Sequence, residues 1–296
     1  MRRVSKRRKD ARPRRERPQR PRDIFVSRPF DGLVDEPEWI ALRELVPAAT
    51  APLQLQPALR ETYGDRPVTL ATLLPMASAA MSHADGQVLV GLQRGVDSGD
   101  ANRDVAASIL AALATDPGDP VSVPNQPGEG PRLADILADH ELDITVHEGF
   151  DFWLAGDADR DDPAVAASLE RANGSIYPTV KLAAARGAYW CQVPERSHLR
   201  WVLPDSEERA LTALARLSAS DGLKLRDDTK FAGMFRAQGL LVPVWDLPRE
   251  TPAAEWEEPL AALSKRYAEA LAVPGDLTPE IRRARHGLIG RQLTLR

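Results

Sequence analysis

Apolar positions along this chain fall in short blocks whose period changes from helical to alternating. Trp39, Ile40, Leu42 and Leu45 recur at helical spacing, which predicts an amphipathic helix over 38–46, stopped by Pro47. Ala48 to Pro57 is small and proline-containing and reads as extended. Gly86-Gln87-Val88-Leu89-Val90 and Gly187-Ala188-Tyr189-Trp190-Cys191 read as strands, and 105–113 and 211–217 as helices. The second of these helices carries Leu211, Leu214 and Leu217 on one stripe, and Asp205 with Glu208 three residues later predicts a capping box. Leu260, Leu263, Tyr267 and Leu271 after Pro259 give one more apolar face, and Thr278-Pro279-Glu280 opens a last helix bearing Arg282, Arg283, Arg285 and His286.

The blocks also repeat. Leu133-Ala134, Ile136-Leu137, Leu142, Ile144 and Val146 align with Phe231-Ala232, Met234-Phe235, Leu240, Val242 and Val244 at a constant offset of 98. Both stretches read as a short helix followed by a strand. The pattern predicts an α+β fold built from two duplicated strand-helix-helix-strand units, with C-terminal helices and a disordered basic N-terminal tail. Five prolines and three glycines interrupt 116–132. The expected layout is a tail over 1–22, a first α+β unit with an N-terminal extension over 23–130, and C-terminal helices over 251–296. Residues 131–250 would hold the helix and strand that complete the first unit, then the second unit. A cleft between the units would be the default binding site.

Charge changes this picture at one end. Residues 1–22 hold twelve basic residues, Arg2, Arg3, Lys6, Arg7, Arg8, Lys9, Arg12, Arg14, Arg15, Arg17, Arg20 and Arg22, against Asp10 and Glu16, a charge of +10. The other residues hold 27 basic against 41 acidic side chains, a charge of −14, which disfavours broad polyanion contact by the body. The basic segment has no apolar face to enter a membrane and no apolar core to act as an export signal, which leaves two readings: contact with RNA, ribosomes or DNA through counterion release, or a solvated tail that docks on the acidic body.

Composition and motifs exclude most chemistry. A single cysteine rules out an internal disulfide and a multi-cysteine zinc module, and suits a reducing compartment. No apolar run reaches the roughly 20 residues of a membrane span. The chain has no GxxxxGK[ST], GxGxxG, GxSxG, SxxK or HExxH. Asp157, Asp159, Asp161 and Asp162 fail as a calcium loop, because the glycine and the closing glutamate positions hold Asp162 and Ser168; Asp161 or Asp162 instead caps a helix starting at Pro163. Cys191 sits in an apolar strand pattern and reads as an inert, buried thiol. Polar groups remain at His147 and Glu148, at a strand end, and at Glu195, Arg196 and His198, in a turn whose counterpart is Gln93-Arg94.

Arg28-Pro29-Phe30-Asp31-Gly32-Leu33, Ala41-Leu42-Arg43-Glu44-Leu45-Val46-Pro47-Ala48-Ala49-Thr50 and Gly239-Leu240-Leu241-Val242-Pro243-Val244-Trp245-Asp246-Leu247 resemble an actinobacterial family of unknown function, some members of which are labelled SecA-like preprotein translocase proteins. The resemblance spans most of 24–270 and implies no activity or catalytic residues. A translocation motor needs the phosphate loop that this chain lacks, and a SecA-type zinc tail needs several cysteines. The expected function is therefore a cytoplasmic, non-enzymatic binding or adaptor protein that contacts RNA, ribosomes or DNA through its basic tail. No cofactor, metal site or membrane partner is expected. The alternative is a small-molecule or metal-dependent enzyme with its site in the cleft, using His147, Glu148, Glu195, Arg196 or His198.

Overall fold

The apolar run at Trp39-Ile40-Ala41-Leu42, with Glu36 and Glu38, is buried around most of the circumference of helix α1 (Glu36–Glu44), which begins two residues before the spacing suggests because Pro37 fits the first turn. A computed structural model describes residues 25–154 and 162–291. The twelve basic residues of the N-terminal segment and Asp157, Asp159 and Asp161 lie outside them.

The fold is α+β. Strands β1 (Ala49–Leu53), β2 (Val68–Leu73), β3 (Ala80–Ser82), β4 (Val88–Gln93) and β5 (Thr145–Val146) form one sheet in the order β3-β4-β2-β1-β5. Its β2–β4 pair is parallel and its other pairs are antiparallel. Strands β6 (Thr179–Lys181), β7 (Ala188–Gln192), β8 (Ser197–Trp201), β9 (Lys230–Ala237) and β10 (Leu240–Leu247) form a second, wholly antiparallel sheet in the order β6-β7-β8-β10-β9. The remaining helices are α2 (Pro57–Tyr63), α3 (Ala101–Leu113), α4 (Leu133–Ile136), α5 (Pro163–Asn173), α6 (Glu207–Ala219), α7 (Glu257–Ala272) and α8 (Pro279–Ile289). Asp162 caps α5 by accepting from the Ala164 N–H at 2.7 Å.

The second sheet is buried on both faces. Trp190, Leu199, Trp201, Met234, Leu241 and Trp245 pack under α6, α7 and α8. On the other face Tyr189, Val202, Phe235, Leu240, Val242 and Val244 join the core of the first sheet, α1 and α3. Close approach at this junction requires glycine at 187. Its φ is +73°, and a Cβ there would stand 2.8 Å from Pro37 Cβ and 3.0 Å from the Val202 carbonyl.

Two local expectations are corrected. Residues 231–235 are strand, so the 98-residue offset sets helix α4 against β9, and the two sheets differ in connectivity. The cause is a β-bulge. Val244 pairs Gly233 but Trp245 pairs Phe231, so the side-chain phase flips inside β9. Phe231 and Met234 then face one core and Phe235 the other, and the resulting 231, 234, 235 spacing imitates a helix. The capping box of α6 does not form either: Ser206 is the N-cap, and Asp205 is engaged by the Tyr267 hydroxyl, which donates to it at 3.0 Å.

Burial holds the phenols of Tyr189 and Tyr267 above their ordinary value of 10, and the neighbouring Glu38 and Asp205 carboxylates push each further up. Unfolded phenols ionise near pH 10 while these stay protonated, so the unfolded state loses protons first and stability falls as the pH rises above about 10. Urea midpoints measured from about pH 8 to pH 11 should drop in that upper range. The drop should be shallower in Tyr267→Phe.

Candidate functional site

Along β8 the burial alternates strictly, with Ser197, Leu199 and Trp201 buried and His198 and Arg200 between them partly open. Arg200 is the Cα partner of Tyr189 and Val244, and His198 of Cys191 and Asp246. Cross-strand partners share a face, so Cys191, His198, Arg200 and Asp246 stand on the face that Tyr189, Val202 and Val244 turn toward the first sheet. This face thus grades from apolar at Val202 and Val242 to polar at Arg200, His198 and Asp246. The grade marks where the junction opens.

A cavity of about 230 Å³ fills the opening. Glu44 and Pro47 at the end of α1 and Gln93 at the end of β4 form one wall, Tyr177 and Thr179 another, and Cys191 and Arg200 the floor. The Glu44 carboxylate accepts from Gln238 Nε2 at 2.7 Å, a contact that ties α1 to the β9–β10 hairpin. Gln238 and Gly239, at φ 46° and 89°, supply the left-handed pair that a two-residue hairpin needs.

The charged groups of the row are arranged around Asp246. Arg196 Nη1 donates to Asp246 Oδ2 at 2.7 Å, and His198 Nδ1 stands 3.1 Å from Oδ1. Burial pushes the His198 imidazole down, against the pull of Asp246, and pushes the Cys191 thiol up, with Arg200 offsetting part of that rise. Both groups are therefore neutral near pH 7. A cysteine nucleophile needs the thiolate, favoured by an imidazolium or cation that outweighs burial. Among the described residues no side-chain hydrogen bond links the Cys191 thiol to the His198 ring. The row holds the residue types of a thiol–imidazole–carboxylate set without its activation.

The other sequence candidates lie elsewhere. His147 Nε2 is 2.8 Å from Thr50 Oγ1, and its ring packs on Phe152 with centroids 5.0 Å apart. Burial lowers its pKa, with Asp151 opposing. Glu148 is exposed, and Glu195 and Arg196 rim a shallow depression with His198. Gln93 and Arg94 diverge, as successive residues of a strand must: Gln93 reaches the cleft, whereas Arg94 pairs with the buried Asp104 at 3.5 Å. Sequence reasoning missed Arg200 and Glu44, although the parity of polar residues in β8 carried a signal for the first.

Among the described residues no group of His, Cys, Asp and Glu could hold a metal ion, and no helix is long and apolar enough to cross a membrane. The family of unknown function DUF5926 matches residues 29–296. This chain belongs to it. The match covers both sheets, all eight described α-helices and every residue of the cleft. No curated protein and no solved structure matches the sequence.

Proposed function

We propose that this chain is a non-enzymatic adaptor, in which the basic segment engages RNA, ribosomes or DNA and the folded body presents a second binding surface. The observation that carries the reading is the segregation of charge: +10 over residues 1–22 against −14 over the rest. Twelve closely spaced Lys and Arg side chains favour a phosphate backbone through counterion release, while a body of opposite sign is repelled by the same polyanion and stays available for another partner. The neutral state of Cys191 and His198 and the engagement of Asp246 by Arg196 support a binding role over covalent chemistry.

Replacing the twelve basic residues by glutamine should abolish co-sedimentation with ribosomes or nucleic acid in a lysate gradient. For the natural chain, binding to a duplex probe should fall by roughly 10³-fold or more between 50 and 200 mM salt. Nuclease treatment that leaves the natural chain in the heavy fractions, or a glutamine variant that still co-migrates, would sink the proposal.

A further inference from the structure

We infer that the cleft at the open end of the junction binds a small organic acid that carries hydroxyl or amine groups, with Arg200 holding its carboxylate. This inference is independent of the basic segment.

The first observation is the state of Arg200. Among the described residues its guanidinium has no hydrogen bond and no ion pair, yet it is partly buried and faces the cavity. Neighbouring arginines of the fold are engaged: Arg196 by Asp246, Arg186 by Asp35 and Arg236 by Glu207. A partly desolvated guanidinium offers five donors in a fork that matches a carboxylate, and leaving it unmatched is unfavourable. Its charge is felt in the cleft, where it draws the Cys191 thiol down and opposes protonation of His198.

The second observation is what surrounds it. Ser175 and Thr179 line the cleft; the Thr179 hydroxyl donates to the Tyr177 carbonyl at 2.9 Å and the Ser175 hydroxyl to the Ala172 carbonyl at 2.7 Å, so each has spent its proton and offers a ligand only acceptor lone pairs. Gln93 uses its amide N–H on the Leu42 carbonyl at 3.4 Å, which leaves its amide oxygen as an acceptor too. Glu44 adds a carboxylate. One cation among several acceptors selects a molecule with an anionic end and hydrogen-bond donors on the remainder. The cavity of about 230 Å³ corresponds to roughly eight water molecules, which suits a hydroxy or amino acid of six or seven heavy atoms.

The test is amide and arginine-side-chain NMR on the full-length chain, titrated separately with lactate, serine and acetate. Lactate and serine should give saturable shifts at Gln93, Tyr177, Thr179 and Cys191 and at the Arg200 Nε–H. Acetate, lacking donors, should bind at least fivefold more weakly. Arg200→Gln should weaken lactate and serine at least tenfold, whereas Arg196→Gln, which leaves the cleft floor intact, should not. Arg200→Lys, which keeps the charge and loses the fork, should fall between them, and gives a second reading should the glutamine variant unfold. Unsaturable shifts, shifts confined to residues 1–22, or equal binding by the Arg200 variants would overturn the assignment.

Discussion

Replacing Trp245 by alanine should lower the unfolding free energy by about 3–5 kcal/mol, which urea titration would read as a shifted midpoint at unchanged slope. Trp245 is fully buried in the middle of β10, where it fills the space between the second sheet and its covering helices. Its ring meets Phe231 edge-on, with centroids 5.7 Å apart and planes at 71°, and its indole N–H donates to the Leu223 carbonyl at 2.7 Å. Truncation opens a cavity that a sheet anchored on both faces cannot collapse into. It also strips the Leu223 carbonyl of its donor, a loss of roughly 1–3 kcal/mol when the group stays dry. Trp245→Phe keeps most of the volume and should cost about half as much. A loss below about 2 kcal/mol for the alanine variant would mean that the core around the bulge is looser than its packing indicates.

That bulge also explains what could and could not be read from the sequence. Helices with apolar residues at helical spacing were legible, α6 and α7 from one buried stripe and α1 from its Trp39, Ile40, Leu42 and Leu45, and Pro163 and Pro279 mark the starts of α5 and α8. Strand β9 was not, because a strand buried on both faces loses its alternation and a bulge at Gly233 then resets its phase. The cap of α6 is illegible for a related reason: Asp205 has a tertiary partner, Tyr267, 62 residues away, and that bond removes it from its local role.

The cleft was half legible. His198 and Gln93 stand out in the sequence as polar residues of turns, but His198 belongs to strand β8, and the row Cys191, His198, Asp246 exists only because β8 pairs with both β7 and β10. Pairing across a gap of nearly fifty residues is fixed by tertiary packing, so no local pattern announces it. Arg200 is the instructive case. Its position within the strand, two residues from Val202, gives its face, and the end of α1 at Glu44, together with Gln93, Tyr177 and Thr179, turns that face from solvent into a cavity floor.

Helix α1 is held in place by a buried carboxylate in its first turn, and removal of that group is the second large effect. Glu38 is completely buried; Tyr189 donates its hydroxyl to Oε2 at 2.6 Å, Lys181 Nζ stands 3.3 Å from Oε1 and Arg186 Nε 3.9 Å. One side chain of α1 thereby gathers three from the second sheet and the turn before β7. Breaking a buried charged cluster by deleting one member costs roughly 3–5 kcal/mol, because the partners stay behind uncompensated. Lys181 and Arg186 are partly exposed and can rehydrate, which trims the loss, whereas the Tyr189 hydroxyl cannot. Glu38→Ala should therefore destabilise by about 2–4 kcal/mol. Glu38→Leu combined with Tyr189→Phe should recover part of that, since it removes the stranded hydroxyl as well as the charge. The placement of α1 predicts a second consequence. Loss of Glu38 frees the helix whose far end carries Glu44 and Pro47, so ligand-induced shifts in the cleft should weaken even at temperatures where the variant is fully folded. A Glu38→Ala chain that is destabilised but binds lactate as the natural chain does would show that the cleft wall is positioned by the Glu44–Gln238 contact alone.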